Sequence, residues 1–187
     1  MKIIAGKHKN TIIPTYKHFK YRPSTNKFRA ALFSIISSGI YINQPLVKNA
    51  NILDVFAGTG SLAFEGLSRG ANSITLLDKN EHYLNMSKNF ARAIGDETKV
   101  HIILANAMSL PSNNKQQYNL VFIDPPYNNN LWIRSLDNLI KHQWLKHEAI
   151  IAVEMAANKK YLLTTNLKLI KEKVYGNSKL LILQYFM

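Results

Sequence analysis

The 187-residue chain contains no cysteine. This absence excludes disulfide bonds, thiolate metal sites and cysteine nucleophiles, and it fits a reducing compartment. Long apolar runs are also missing. The N-terminal stretch MKIIAGKHKNTIIP lacks the apolar core of a secretory signal, and the longest uncharged stretch, Ala30 to Val47, contains serine, asparagine, glutamine and proline. We therefore expect a soluble cytoplasmic protein.

Acidic residues are absent from positions 1 to 53, which hold nine lysines or arginines. Residues 54 to 155 are nearly neutral, with nine basic residues against ten acidic ones, and residues 156 to 187 carry six lysines against one glutamate. A neutral body with basic ends suits a nucleic acid, because lysine and arginine near phosphates release counterions. The alternative is a compositional bias behind the formal charge of +13, since lysine supplies 19 of the 24 basic residues.

Strand-like and helix-like segments alternate from residue 51 onward. Strands are predicted at Ile52–Phe56, Ser73–Leu77, Val100–Leu104, Leu120–Ile123 and Ala149–Val153, with two more around Gly176, and helices at Ser61–Arg69, Glu81–Ile94 and Leu131–Leu145. This order favours one α/β domain with a doubly wound, mostly parallel sheet, closed by an antiparallel strand. Ligands of such sheets bind outside the carboxyl ends of the strands.

The N-terminal segment, from residue 1 to residue 40, is predicted to be a small extension of this domain, which then spans residues 41 to 187. Lys2–Ala5 and Thr11–Pro14 are typical of two short strands joined by a turn. Ser24 or Thr25 can cap a following helix that has one apolar face. The basic residues expected on or beside the polar side of this helix, where they would contact RNA, are Arg22, Lys27 and Arg29.

A glycine motif, DVFAGTGSLA, follows the first parallel strand. Gly58 and Gly60 begin the pattern G-x-G-x-x-A, whose glycines let the backbone approach a ligand at the N-terminus of a helix. Asp78 ends the next strand, 18 residues after Gly60 in the sequence. A carboxylate at this position of the motif can accept hydrogen bonds from ribose hydroxyls. Its alternative role is that of a solvated helix N-cap. The motif predicts a cofactor that carries a nucleoside.

Asp54 lies four residues before Gly58 in the sequence, and it helps to decide which cofactor binds. A pyrophosphate would repel a carboxylate beneath the loop, whereas the ammonium group of S-adenosylmethionine would pair with it. Alternatively, Asp54 only caps the loop by accepting backbone N–H groups. Asn106, after the third strand, can present its amide to adenine, although asparagine in a loop is more often turn chemistry. Phe56 and Ala107 complete the predicted cofactor-binding set.

The stretch VFIDPPYNNN ends an apolar run with Asp124, two prolines and Tyr127. Pro125 and the next proline supply no N–H donors, so the local carbonyls and the Asp124 carboxylate form a cluster of acceptors. Such a cluster suits a planar amino group with two N–H bonds, and Tyr127 offers a face for stacking. The motif predicts a clamp for the exocyclic amine of a nucleobase. In the alternative, the prolines end the strand and Tyr127 packs in the core.

Four segments resemble, in the same order and over nearly the whole chain, the bacterial small-subunit ribosomal RNA guanine-N2 methyltransferases: RPSTNKFRAALFSII, NILDVFAGTGSLAFEGLSRGA, VFIDPPY and EKVYGNSKLLILQY. DPPY is shared with many DNA and RNA amino-methyltransferases. The segment RPSTNKFRAALFSII is what points to the ribosomal RNA enzymes within that larger group. The resemblance implies a seven-stranded class I methyltransferase fold, S-adenosylmethionine at Asp54, Gly58, Gly60 and Asp78, and guanine held by Asp124, Pro125 and Tyr127. It also implies 16S ribosomal RNA, within an assembling subunit, as the partner of a monomeric enzyme without a metal. Asn26 and Ala30 stand where acidic residues are expected, so RNA positioning here can differ in detail.

The expected reaction follows from these groups. The lone pair of an exocyclic guanine amine is delocalised into the ring, so the site must hold the nitrogen pyramidal and aimed at the methyl group. Asp124 and the Pro125 carbonyl would do so by accepting its two N–H bonds, after the base is unstacked. The alternatives are a DNA adenine or cytosine amino-methyltransferase, a nicotinamide enzyme, and a non-catalytic RNA-binding module with a Rossmann fold.

Overall fold

Helices and strands alternate along the chain in a computed structural model, which describes residues 1–15, 26–38, 46–114, 116–126 and 131–187. The helices are α1 (Asn26–Ser37), α2 (Ser61–Ser68), α3 (Glu81–Ala93) and α4 (Leu131–Lys141). The strands are β1 (Asn51–Val55), β2 (Ser73–Asp78), β3 (Val100–Leu104), β4 (Tyr118–Ile123), β5 (Leu145–Ala156), β6 (Leu167–Tyr175) and β7 (Ser178–Tyr185). No helix in these ranges is long and apolar enough to cross a membrane.

The seven strands form one sheet in the order β3-β2-β1-β4-β5-β7-β6. Strands β1 to β5 run parallel, and β7 lies antiparallel between β5 and β6. The predicted doubly wound sheet with an antiparallel C-terminal strand is confirmed. The chain moves outward from β1 to β3 and then returns to β4, so the strand order reverses beside β1. A crevice for a ligand is expected at the carboxyl ends of β1 and β4.

The two faces of the sheet are covered by different helices. Side chains alternate along a strand, and the register aligns Ile52 with Leu120 on the face that packs against α1, α2 and α3. Leu53 and Val121 point to the other face and pack against α4. Asp54 and Phe122 are also register partners, so the Asp54 side chain belongs to the face of α1 and α2.

The N-terminal hairpin is shorter than predicted. A single antiparallel bridge, Lys2 to Ile12, replaces the two expected strands. The ladder stops because Ile4 and Ala5 donate their N–H groups to the Glu65 carboxylate of α2, at 2.7 and 3.1 Å, instead of to an opposing strand. The hairpin is thereby attached to the helix that follows the glycine motif.

Two other predicted boundaries were wrong. The helix expected at Leu131–Leu145 ends at Lys141, because the chain turns at Gln143, whose φ is 60°, and enters β5. Strand β5 is longer than the predicted Ala149–Val153 at both ends, because its outer residues pair with β4 and β7.

Candidate active site

A pocket of about 390 Å³ opens at the carboxyl ends of β1, β2, β3 and β4. It is lined by Phe56, Gly58, Asp78, Lys79, Asn80, Tyr83, Asn106, Met108, Pro126 and Leu131. Four of the predicted cofactor residues are among them: Phe56, Gly58, Asp78 and Asn106. The volume is in the range of small-molecule sites, and the lining combines apolar side chains with a few polar groups.

The loop after β1 is held in an unusual backbone conformation. Phe56 has a φ of 65°, which costs a residue with a side chain about 1–2 kcal/mol. Gly60, at φ 70°, is the N-cap of α2, and a Cβ atom there would lie 3.0 Å from both Leu76 and Phe64. Strain of this kind clusters at functional sites. The positive φ and the close packing together favour glycine at position 60, although Gly60 does not itself line the pocket.

Asp78 joins the loops that follow β1 and β2. Its Oδ2 accepts the Gly58 N–H at 2.8 Å and its Oδ1 accepts the Asn80 N–H at 2.9 Å. Asn80, whose Oδ1 accepts the Tyr83 N–H at 3.3 Å, is the N-cap of α3. The alternative role of Asp78 as the helix N-cap is therefore wrong. A carboxylate has about four acceptor positions, so Asp78 retains room for a ligand hydroxyl.

Asp54 lies inside β1, beneath the loop, and is 2% exposed. Its Oδ2 accepts the N–H of Ala63 in α2 at 3.2 Å, which is the contact expected if Asp54 braces the loop. Burial raises the pKa of the Asp54 carboxyl well above its ordinary 3.8; the bond from Ala63 opposes this shift, and the charge of Asp78 adds to it. Asp54 does not line the pocket directly.

Asp124 follows β4 and stands beside a second acid that the sequence analysis missed. Ile123 pairs with Val153, and the next residues along these parallel strands are Asp124 and Glu154. Burial raises the pKa of Asp124 well above its ordinary value, and the charges of Glu154 and Asp54 raise it further. Glu154 is 7% exposed. Its sequence signal was one acid within the apolar run IIAVEMAA, at the end of a strand.

The prolines after Asp124 differ in exposure. Pro125 is buried, whereas Pro126 is exposed and lines the pocket. Tyr127 lies outside the described residues. Pro126 therefore joins the motif to the pocket, whereas Asp124 and Pro125 do not line it, and the acceptor role of Asp124 and Pro125 and the stacking role of Tyr127 stay predictions.

Asn106 and Ala107 occupy different environments. Asn106 is exposed at the pocket, and its Oδ1 accepts the Met108 N–H at 3.0 Å, the turn contact that the alternative role predicts. Ala107 is 3% exposed, packs in the core on the α4 side and does not line the pocket. Other lining residues were not predicted, because no pattern of residue types in the sequence marks them: Lys79, Asn80, Tyr83, Met108 and Leu131.

The predicted position of Arg29 on the polar side of α1 is wrong. Arg29 is fully buried, and its Nη2 donates to the Lys2 carbonyl at 2.7 Å, because the N-terminal hairpin covers this side of the helix. Burial lowers the pKa of the guanidinium, and the charge of Glu65 opposes that shift. Arg29 therefore joins the hairpin to α1 and presents no surface to RNA. Arg22 and the side chain of Lys27 lie outside the described residues.

Comparison with known proteins identifies the family. The family model described as conserved hypothetical protein 95 matches residues 1–184. Ribosomal RNA small subunit methyltransferase D of Buchnera aphidicola (subsp. Baizongia pistaciae) is 33% identical, over 92% of this chain and 86% of that protein. The chain belongs to this ribosomal RNA methyltransferase family.

Further relatives agree with that assignment. An uncharacterised methylase of Rickettsia prowazekii is 40% identical over 99% of this chain and 98% of that protein. A solved Escherichia coli protein to which methyltransferase activity is ascribed superposes with a TM-score of 0.86 at 28% identity, covering 100% of this chain and 98% of the other. The chain is thus a methyltransferase, with the predicted Rossmann-like class I fold.

Proposed function

We propose that the chain transfers a methyl group from S-adenosylmethionine to the exocyclic N2 amine of a guanine in small-subunit (16S) ribosomal RNA. One observation carries the proposal. Asp124 and the prolines after it lie at the carboxyl end of β4, beside a pocket built by the glycine loop and Asp78. The small-subunit ribosomal RNA methyltransferases among the relatives support the choice of RNA.

The residues of the pocket fit S-adenosylmethionine, which supplies an electrophilic methyl group when bound. The Asp78 carboxylate would accept hydrogen bonds from the ribose hydroxyls, and the Asn106 amide would face the adenine. Phe56 and Gly58 line the same pocket, where the glycine permits close approach of the backbone. The buried carboxyl of Asp54 would act from beneath the loop on the ammonium group. Gly60 and Ala107 would shape the site without direct contact.

Asp124 is suited to act on an amine. Its carboxyl and the Pro125 carbonyl would accept the two N–H bonds of the guanine amine and turn the nitrogen lone pair towards the methyl group. Burial and the charges of Glu154 and Asp54 raise its pKa, so the carboxyl keeps its proton to a higher pH than an ordinary aspartate does. A cation bound nearby would favour the ionised form, which can then stabilise the developing positive charge on the amine and receive its proton.

The RNA would be held in part by the N-terminal extension. Residues 1–40 form the extension whose hairpin is fixed to α2, and residues 41–187 form the catalytic domain. Within the extension, Arg22 and Lys27 remain the proposed RNA contacts, and Tyr127 remains the proposed stacking partner of the base. We propose that the enzyme acts as a monomer, without a metal, on RNA of the assembling small subunit.

Nucleoside analysis tests this function. The purified protein is incubated with S-adenosylmethionine carrying a labelled methyl group and with in-vitro-transcribed 16S ribosomal RNA or assembling subunits, and the digested RNA is analysed by mass spectrometry. The proposal predicts labelled N2-methylguanosine. Label on the exocyclic amine of adenosine or cytidine would contradict the assigned base, and label only on a parallel DNA sample would contradict the substrate.

A further inference from the structure

The tip of the C-terminal hairpin lies at the same end of the sheet as Asp124, the end where the parallel strands have their carboxyl termini. The tip is defined here as residues 157–160 and 173–179. Strand β7 runs antiparallel to β5, and the pairing of Ser178 with Ala156 brings the β6–β7 turn to the carboxyl end of β5. The Ala157 N–H donates to the Asn177 carbonyl at 2.9 Å and joins both parts of the tip. The tip is thus adjacent to the strand end that carries Glu154.

Aromatic contacts hold the tip from both faces of the sheet. On one face, the ring of Tyr175 meets Phe28 of α1 edge to face, with centroids 6.0 Å apart. On the other face, Lys179 lies 5.5 Å above the ring of Tyr161, which packs edge to face on Trp132 of α4 at 5.9 Å. Helix α4 begins shortly after Tyr127 in the sequence. The tip is therefore fixed relative to both α1 and α4.

The tip carries an excess of positive charge. Residues 156–187 contain one acid, Glu172, which accepts a hydrogen bond from the Tyr161 hydroxyl and pairs with Lys179 at 3.1 Å. Lys159, Lys160 and Lys173 are exposed, and no other acid occurs in this part of the sequence. Each RNA phosphate carries a negative charge, so a group of exposed lysines beside the site suits the backbone where it passes the tip.

We propose that Lys159, Lys160 and Lys173 form a second RNA-docking surface, which binds the backbone phosphates that pass the carboxyl end of β5 beside the target guanine. This inference rests on the proposed function and extends it to the C-terminal hairpin. Lysine suits the role because it recognises phosphate as a point charge, without reading base sequence. The plainer alternative is that lysines on the edge strand β6 only prevent pairing with other chains.

The chain offers a matched control for this proposal. The control set is three exposed lysines at the opposite end of the sheet, where the parallel strands begin: Lys48, Lys146 and Lys168. Lys48 precedes β1, and the other two lie at the starts of β5 and β6. Lys168 and Lys173 share strand β6 and are separated by roughly 17 Å. Replacing either set of three lysines with glutamine removes the same charge, so a difference between the two variants reports position.

The experiment measures binding of a labelled 16S ribosomal RNA transcript at several salt concentrations. For Lys159→Gln/Lys160→Gln/Lys173→Gln we expect at least tenfold weaker binding. We also expect the slope of the logarithm of the binding constant against the logarithm of the salt concentration to fall in magnitude by about two, because each lost phosphate contact removes about 0.7–0.9 from that slope. For Lys48→Gln/Lys146→Gln/Lys168→Gln we expect both values close to those of the wild type. Calorimetry with S-adenosylmethionine and thermal melting should match among the three proteins.

The outcomes separate the docking inference from the proposed function. Equal losses in the two triple variants, or no loss in either, would overturn the docking surface while leaving a wild type that still methylates the transcript. If the wild type shows no salt-dependent binding of either the transcript or assembling subunits, the proposed substrate is wrong and the docking surface falls with it.

Discussion

Asp54, Asp124 and Glu154 form a group of acids near the carboxyl ends of β1, β4 and β5, beside the pocket. The strand register places the three side chains on one face of the sheet. Asp54 aligns with Phe122, which aligns with Ala152. Asp124 and Glu154 each lie two residues further along the chain than these partners, so their side chains point to the same face. Burial is the largest cause of the raised pKa of both aspartates. A cationic ligand relieves this unfavourable concentration of charge, whereas a phosphate would worsen it. The acids therefore favour S-adenosylmethionine over a dinucleotide.

The charge of Asp54 can be separated from its contact with the loop. Asp54→Ala should weaken S-adenosylmethionine binding at least tenfold, about 1.4 kcal/mol, because a charge-assisted pair is lost. Asp54→Asn keeps an oxygen that can accept the Ala63 N–H, and we expect a similar loss by calorimetry. Asp137→Ala, an exposed change on α4, is the control. Near-normal affinity in the asparagine variant would show that Asp54 only braces the loop.

At the scale of elements, α2 connects the N-terminal hairpin to the cofactor loop. The fully buried Glu65 carboxylate accepts the Ile4 and Ala5 N–H groups and pairs with Arg69 at 2.7 Å. Gly6 sits so close to α2 that a Cβ atom would lie 1.8 Å from the Ser68 carbonyl oxygen. The hairpin is therefore a fixed part of the domain surface.

A pair of glycine substitutions tests this attachment. Gly6→Ala forces the hairpin away from α2 and leaves buried groups without partners, so we expect the free energy of unfolding to fall by about 3 kcal/mol. Gly95→Ala has a similar backbone, with φ 72° against 87°, but no atom within 4 Å of the new Cβ. There only backbone strain remains, about 1 kcal/mol. Urea unfolding compares the two variants, and equal losses would contradict a packed hairpin.

The sequence predicted the elements of the domain better than their surroundings. Strand and helix periodicity placed β1 to β4, α2 and α3 close to their observed bounds, because these segments carry strong local patterns. The burial of Arg29 and the short N-terminal bridge were not predictable, because both depend on Glu65 and the hairpin, which are distant in sequence. Glu154 was missed for a related reason: its role is set by the pairing of β4 with β5.

At the scale of the whole molecule, the acids make the stability of the free protein depend on pH in two directions. The raised pKa values of Asp54 and Asp124 mean that their neutral forms stabilise the fold, and this contribution is lost as pH rises above 3.8 through the raised values. Asp96 behaves oppositely. Burial acts to raise its pKa, but the contacts with His8 and Lys7 outweigh burial and lower it, so its contribution is lost as pH falls below 3.8.

Unfolding measurements check these signs. As pH rises above 3.8 we expect the cofactor-free wild type to lose stability to urea relative to Asp54→Asn/Asp124→Asn, because only the wild type carries the carboxyls whose pKa is raised. S-adenosylmethionine should stabilise the wild type more at pH 8 than at pH 5, because cation binding favours the ionised acids. Parallel pH profiles for the wild type and the double variant would contradict the assigned pKa shifts.

The role of Asp124 in methyl transfer is tested most directly by the single-turnover rate of Asp124→Ala on 16S ribosomal RNA or assembling subunits. The protein is saturated with S-adenosylmethionine, thermal melting verifies folding, and Asp137→Ala serves as the control. We expect the rate to fall by two or more orders of magnitude, about 2.7 kcal/mol or more, because one preorganised contact to the reacting amine is lost. A folded Asp124→Ala protein that transfers methyl groups at a near-normal rate would contradict the account.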